Sequence, residues 1–167
     1  LPSVIPFYSA GGLPFAYPPL SFYVQAFVIA LFHPAKFITV NLIPPIVAAL
    51  SVPSFYYLVK QLNLGRLEAW CMLAAFAFIP NTFLDPIEAA GLPEAFGGLA
   101  LIWYVTCLIR VYQQPGWPRT WPAGLLLGVC LLSSPGSAVA APLLSVIYVL
   151  LAGLRALREK QLGPLAF

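Results

Sequence analysis

Gly124-Leu125-Leu126-Leu127-Gly128-Val129-Cys130-Leu131-Leu132-Ser133-Ser134-Pro135-Gly136-Ser137-Ala138-Val139-Ala140-Ala141-Pro142 stands at the centre of an uncharged run, residues 120–154. As one straight helix rising 1.5 Å per residue, that run would be about 52 Å long. The hydrocarbon core of a bilayer is only about 30 Å thick. Ser133-Ser134-Pro135-Gly136 breaks the run in its middle, so the economical reading is two apolar helices, about 120–133 and 137–158. Working outward, residues 1–35, 37–59, 69–84 and 95–109 also carry no Asp, Glu, Lys or Arg. Long apolar runs with short charged punctuation define a polytopic membrane protein.

Composition agrees. The chain is 61% hydrophobic and 8% charged, with a mean hydropathy of +0.91. Soluble domains carry about 25% charged residues, which excludes a soluble core. A net charge of +3, scattered singly or in threes at the ends of apolar runs, gives no footprint for nucleic acid. Those positions suit lipid headgroups instead. Cys71, Cys107 and Cys130 lie far apart inside apolar runs, which reads as buried free thiols. With His33 the only histidine, a protein-built zinc or haem site is not expected.

Residues 1–19 are proline-rich and loop-like, extracytoplasmic or interfacial, and Pro18-Pro19 suits the opening of a first helix to about residue 33. A second apolar stretch, 36–62, is interrupted by Pro44-Pro45 and Pro53. A third runs from about 66 to 80 and a fourth from Pro93 to about Gln114. The expectation is an all-α transmembrane bundle of about six hydrophobic helices, several short or proline-broken, forming one domain over residues 1–167. Leu1 at the start and Gly163-Pro164-Leu165-Ala166-Phe167 at the end read as the limits of an internal piece of a longer chain.

Positive-inside counting places Lys60, Arg66, Arg110, Arg119, Arg155, Arg158 and Lys160 on the cytoplasmic side. The acidic loop 81–94 then faces outward, and it holds three of the chain's five carboxylates: Asp85, Glu88 and Glu94. Two readings of these acids stand. In one they are a solvated loop, with Glu94 after Pro93 complementing the positive end of the next helix. In the other they contact substrate or a divalent metal ion.

Three patterns carry a family resemblance. They are Gly12-Leu13-Pro14-Phe15-Ala16-Tyr17-Pro18-Pro19-Leu20-Ser21-Phe22-Tyr23, then Gly91-Leu92-Pro93-Glu94-Ala95-Phe96-Gly97-Gly98-Leu99-Ala100, then the 124–136 segment already quoted. In order and spacing the chain resembles GT-C-fold integral membrane glycosyltransferases of bacteria and archaea. The resemblance implies a polyprenyl-phosphate-linked sugar donor, membrane lipid as partner, transfer at the outer face, and a bacterial cytoplasmic membrane location. It puts the catalytic acid in a loop upstream of Leu1, leaving Asp85, Glu88, Glu94 and Tyr17 as substrate-contacting candidates here. Ser133-Ser134 before Pro135 departs from the histidine common at that turn in the family. Ala16 stands where relatives often carry a phosphate-pairing lysine.

A rival reading is a non-catalytic accessory or scaffold subunit of a larger membrane assembly, such as an energy-transducing complex. A transporter piece is a third, disfavoured because no charged residue lies mid-run to bind a coupling ion.

Overall fold

The computed structural model describes residues 4–5, 13–14, 19–32, 36–79 and 91–162, with backbone alone at 4–5, 13–14, 36–41 and 159–162. Among the described residues six helices follow in order: α1 (Leu20–Phe32), α2 (Lys36–Gln61), α3 (Arg66–Phe78), α4 (Leu92–Gln113), α5 (Trp117–Ser133) and α6 (Pro135–Leu162). Ahead of them, β1 (Val4–Ile5) pairs antiparallel with β2 (Leu13–Pro14), Val4 opposite Pro14 and Ile5 opposite Leu13.

The break between α5 and α6 is a single extended residue, Ser134, at φ −148° and ψ 156°. Pro135 explains it. A proline drives the preceding residue out of the α region and then opens a new helix at no cost in hydrogen bonds. The first turn of α6 therefore begins at Pro135, two residues earlier than the sequence reading put it.

At α2 the structure corrects the sequence reading. Pro44, Pro45 and Pro53 lie inside one continuous helix and do not interrupt it. Each proline withdraws a donor from the carbonyl four residues back, a loss that apolar spans tolerate better than helices in water do. Beside Pro53, Ser51 Oγ donates to the Ala48 carbonyl at 2.5 Å and Ser54 Oγ to the Leu50 carbonyl at 2.8 Å, which flank the Ala49 carbonyl that Pro53 leaves without its helical donor.

Among the described residues, three helices are long and apolar enough to cross a membrane: Leu42–Gln61, Leu92–Gln113 and Pro135–Arg158. That is fewer than a bundle of six spans. Each of α1 and α3 has 13 residues and α5 has 17. At 1.5 Å per residue they reach only about 20–26 Å. The described residues thus form a helical membrane protein with three spanning-length helices and three shorter ones packed beside them.

The core lies where α4, α5 and α6 meet. Ala100, Tyr104, Ala123, Cys130 and Ala141 are buried there, with Leu126, Leu127 and Leu144 packed around them. Small residues at the contact let helix backbones approach closely, the main source of packing energy when lipid is as apolar as leucine. Tyr104 adds a hydroxyl contact to Ser145 Oγ at 2.5 Å, tying α4 to α6. All three cysteines are free.

The two ends of the bundle differ in charge. Arg110 at the end of α4 hydrogen-bonds Tyr57 Oη and Gln61 Oε1 of α2. Arg155 of α6 donates to the Tyr112 carbonyl at 3.1 Å, and Arg119 of α5 donates to the Gln114 carbonyl at 3.2 Å. Lys60 and Arg66 share the α2–α3 turn, so every cation with a described side chain lies at this end. Three stand over tyrosine rings: Lys60 over Tyr56, Arg110 over Tyr57 and Arg155 over Tyr112, at 5.0–5.4 Å from the ring centres. Cation–aromatic pairs of this kind suit a membrane interface, where one side is apolar and the other wet.

Candidate functional site

The opposite end is built by the start of α4 and the α5–α6 break. Gly91 caps α4 with φ 51°, a left-handed conformation that a side chain would strain. Leu92 and Pro93 follow, both buried, and Glu94 occupies the third helical position. A carboxylate in the first turn faces the partial positive charge of the helix start. The dipole role read from the sequence therefore fits the position, but it does not exhaust it. A Cβ placed on Gly136 would lie 3.5 Å from Glu94 Oε2, so the carboxylate also borders the first turn of α6.

That first turn is lined by buried hydroxyls. Ser133 and Ser134 are fully buried and Ser137 nearly so. Ser134 Oγ accepts the Ser137 amide at 3.2 Å, the bond expected of a serine N-cap. Ser137 Oγ donates to the Cys130 carbonyl at 2.7 Å, and Ser133 Oγ to the Val129 carbonyl at 2.6 Å. The Ser137 bond satisfies the Cys130 carbonyl, one of the last four of α5 that have no partner within the helix. In the α6 turn itself, Pro135 has no N–H, and the amides of Ser137 and Ala138 go to Ser134 Oγ and the Ser134 carbonyl. Among the described residues the Gly136 amide is the donor of this turn left without a hydrogen bond.

Gly97, one turn along α4, closes the junction. A Cβ there would collide with Ser134 Oγ and come within 2.8 Å of Ser137 Oγ. The absence of a side chain lets α4 lie directly on the serines. Gly98, Gly124 and Gly128 behave differently: nothing lies within 4 Å of a Cβ built on any of them. Among these four glycines, close approach of a neighbouring helix occurs at Gly97.

Of the residues proposed from sequence, Glu94 is thus brought against the serine junction. Asp85, Glu88 and Tyr17 lie outside the described residues, as does His33. Among the described residues no three His, Cys, Asp or Glu side chains converge, and Glu94 alone does not make a divalent-metal site. Ser137 and Gly136 escaped sequence reasoning as site residues. The signal that points to them is the spacing of serines across a proline-started helix, a capping pattern.

No known protein family, curated protein or solved structure matches this chain.

Proposed function

We propose that this chain is part of a GT-C-like integral membrane glycosyltransferase that takes sugar from a polyprenyl-phosphate-linked donor at the outer face of a bacterial cytoplasmic membrane. The observation that carries the reading is the position of Glu94 against the exposed start of α6, at the end of the bundle opposite Lys60, Arg110 and Arg155. A carboxylate there accepts hydrogen bonds from sugar hydroxyls. In the reaction an acceptor oxygen bonds to the anomeric carbon, and the bond from that carbon to the lipid phosphate breaks. The hydroxyl proton passes to a base. Glu94 is assigned substrate contact, and no base is assigned among the described residues.

A second reading, an accessory subunit of a larger membrane assembly, draws on α6. Only 11% of its most apolar window is buried, against 39% for α4, leaving a long face for lipid or a partner helix.

The test is turnover by the protein isolated from its native membrane and returned to liposomes. Release of free polyprenyl phosphate from a labelled polyprenyl-phosphate sugar, reduced by Glu94→Gln, supports the enzyme. A folded protein that shows no turnover with any such donor, and that isolates in fixed ratio with other membrane subunits, supports the second reading.

A further inference from the structure

We propose that the cavity between the end of α2 and the start of α3 binds the headgroup of an anionic phospholipid, in the leaflet that meets the basic end of the bundle. This inference is independent of the glycosyltransferase reading. The cavity has a volume of about 640 Å³, and its walls include Tyr56 and Lys60 of α2, Asn63 of the turn, and Arg66 and Trp70 of α3. That volume lies within the range of small-molecule sites, about 300–1,000 Å³.

Position supports a lipid. The spanning part of α2, Leu42–Gln61, has 20 residues, which rise about 30 Å at 1.5 Å each. That length matches the hydrocarbon thickness of about 30 Å and sets Lys60 at the boundary between acyl chains and headgroups. Tyr56 lies one turn before Lys60, and Trp70 one turn after Arg66, so each cation shares a helix face with an aromatic ring. The two rings meet across the helices with their centres 6.2 Å apart. Further from the turn, Phe55 and Phe76 stack at 4.1 Å and hold the same two helices together. In both helices the ring therefore lies on the membrane side and the charge on the water side. Trp70 is 55% exposed, at the level where tryptophan and tyrosine meet lipid headgroups.

Charge selects the headgroup. No acidic residue lines the cavity. The acid nearest in sequence, Glu68, lies two residues from Arg66 and so on a different helix face. Its Oε2 accepts the Gly65 amide at 2.9 Å. Lys60 Nζ stands 5.0 Å from the centre of the Tyr56 ring, and an ammonium carries three N–H donors. Arg66 opens α3, where the partial positive charge of the helix start disfavours a cation. Its guanidinium has no hydrogen bond or ion pair among the described residues. That placement does nothing for the helix and suits a phosphate, which five N–H donors in a planar fork can grip. Asn63 turns the chain at φ 53°, a left-handed conformation that asparagine tolerates, and adds a neutral amide to the rim. Basic pockets between membrane helices are suited to anionic headgroups in this way.

The test is native mass spectrometry of the intact protein in detergent, titrated with phosphatidylglycerol or phosphatidylcholine. Phosphatidylglycerol should bind about tenfold tighter or better, and Lys60→Gln and Arg66→Gln should each weaken it about fivefold. Arg119→Gln, on the same end but outside the cavity, should change it by less than about twofold. Millimolar inorganic phosphate should leave lipid binding intact. Equal affinity for the two lipids overturns the proposal, as does an equal loss on Arg119→Gln, which would mean diffuse attraction. Displacement by inorganic phosphate assigns a free-anion site and overturns the lipid. Should Lys60→Gln fail to fold, because it also loses the contact with Tyr56, Arg66→Gln alone must still show the loss.

Discussion

Gly97 lies flush against Ser134: a methyl group on residue 97 would collide with the Ser134 hydroxyl and meet the Ser137 hydroxyl at 2.8 Å. Neither serine is free to give way. Ser134 Oγ caps the Ser137 amide, and Ser137 Oγ is committed to the Cys130 carbonyl. Gly97→Ala therefore forces α4 away from the break and should cost about 1–3 kcal/mol, as overpacked cores do. Gly98→Ala, which meets nothing within 4 Å, should be neutral or stabilising by up to about 1 kcal/mol. Thermal unfolding of both variants in one detergent gives the contrast, and equal behaviour would refute the close approach.

Glu94 serves two helix starts, its own and that of α6. Its interaction with helix dipoles at a partly exposed position is worth about 0.3–1 kcal/mol, so Glu94→Gln should lower stability only slightly. If the carboxylate also holds a sugar hydroxyl, the same change removes a charged hydrogen bond worth about 1.5–3 kcal/mol. Transfer should then fall about 10- to 100-fold. A stability loss with unaltered transfer would confine Glu94 to the dipole role.

How much of this was legible beforehand differs from element to element. The six apolar segments and the break before Pro135 follow from runs too long and too uncharged for anything but membrane helices. The continuity of α2 was hidden, because Pro44, Pro45 and Pro53 obey a rule learned from water. In an apolar setting, helices tolerate internal prolines that would break them in water. Which glycine carries the close contact was also hidden. Gly97 and Gly98 are equivalent in sequence and lie about 100° apart around the helix, so only the packing partner tells them apart. The acids were visible as a cluster, but the contact between residues 94 and 136 spans the whole α4–α5 hairpin and leaves no local trace.

Tyr57 meets α4 in two ways. Its ring lies 5.0 Å from the Arg110 guanidinium and 5.4 Å from the Trp103 ring, and its hydroxyl accepts from Arg110. Gln113 Nε2 adds a bond to the Gln61 carbonyl at 2.7 Å. A double-mutant cycle on Tyr57→Ala and Arg110→Gln should return a coupling of about 0.5–2 kcal/mol. The same cycle on Lys60 and Tyr56, a more exposed pair, should return about half of that or less. Additive losses for Tyr57 and Arg110 would show that the pair does not join α2 to α4.

Ser21 is the counter-example to the serines of the junction. Its hydroxyl, in the first turn of α1, is fully buried and has no hydrogen-bond partner among the described residues. A buried hydroxyl left in that state costs about 1–3 kcal/mol on mutational scales. Ser21→Ala removes the polar atom and keeps the Cβ, so it should be neutral or raise stability by up to about 1 kcal/mol. Ser137→Ala is the paired comparison: it deletes the bond to the Cys130 carbonyl and should lower stability by about 1 kcal/mol. Unfolding of both in the same detergent separates the cases. A loss at Ser21→Ala as large as that at Ser137→Ala would mean that this hydroxyl does find a partner in the folded protein.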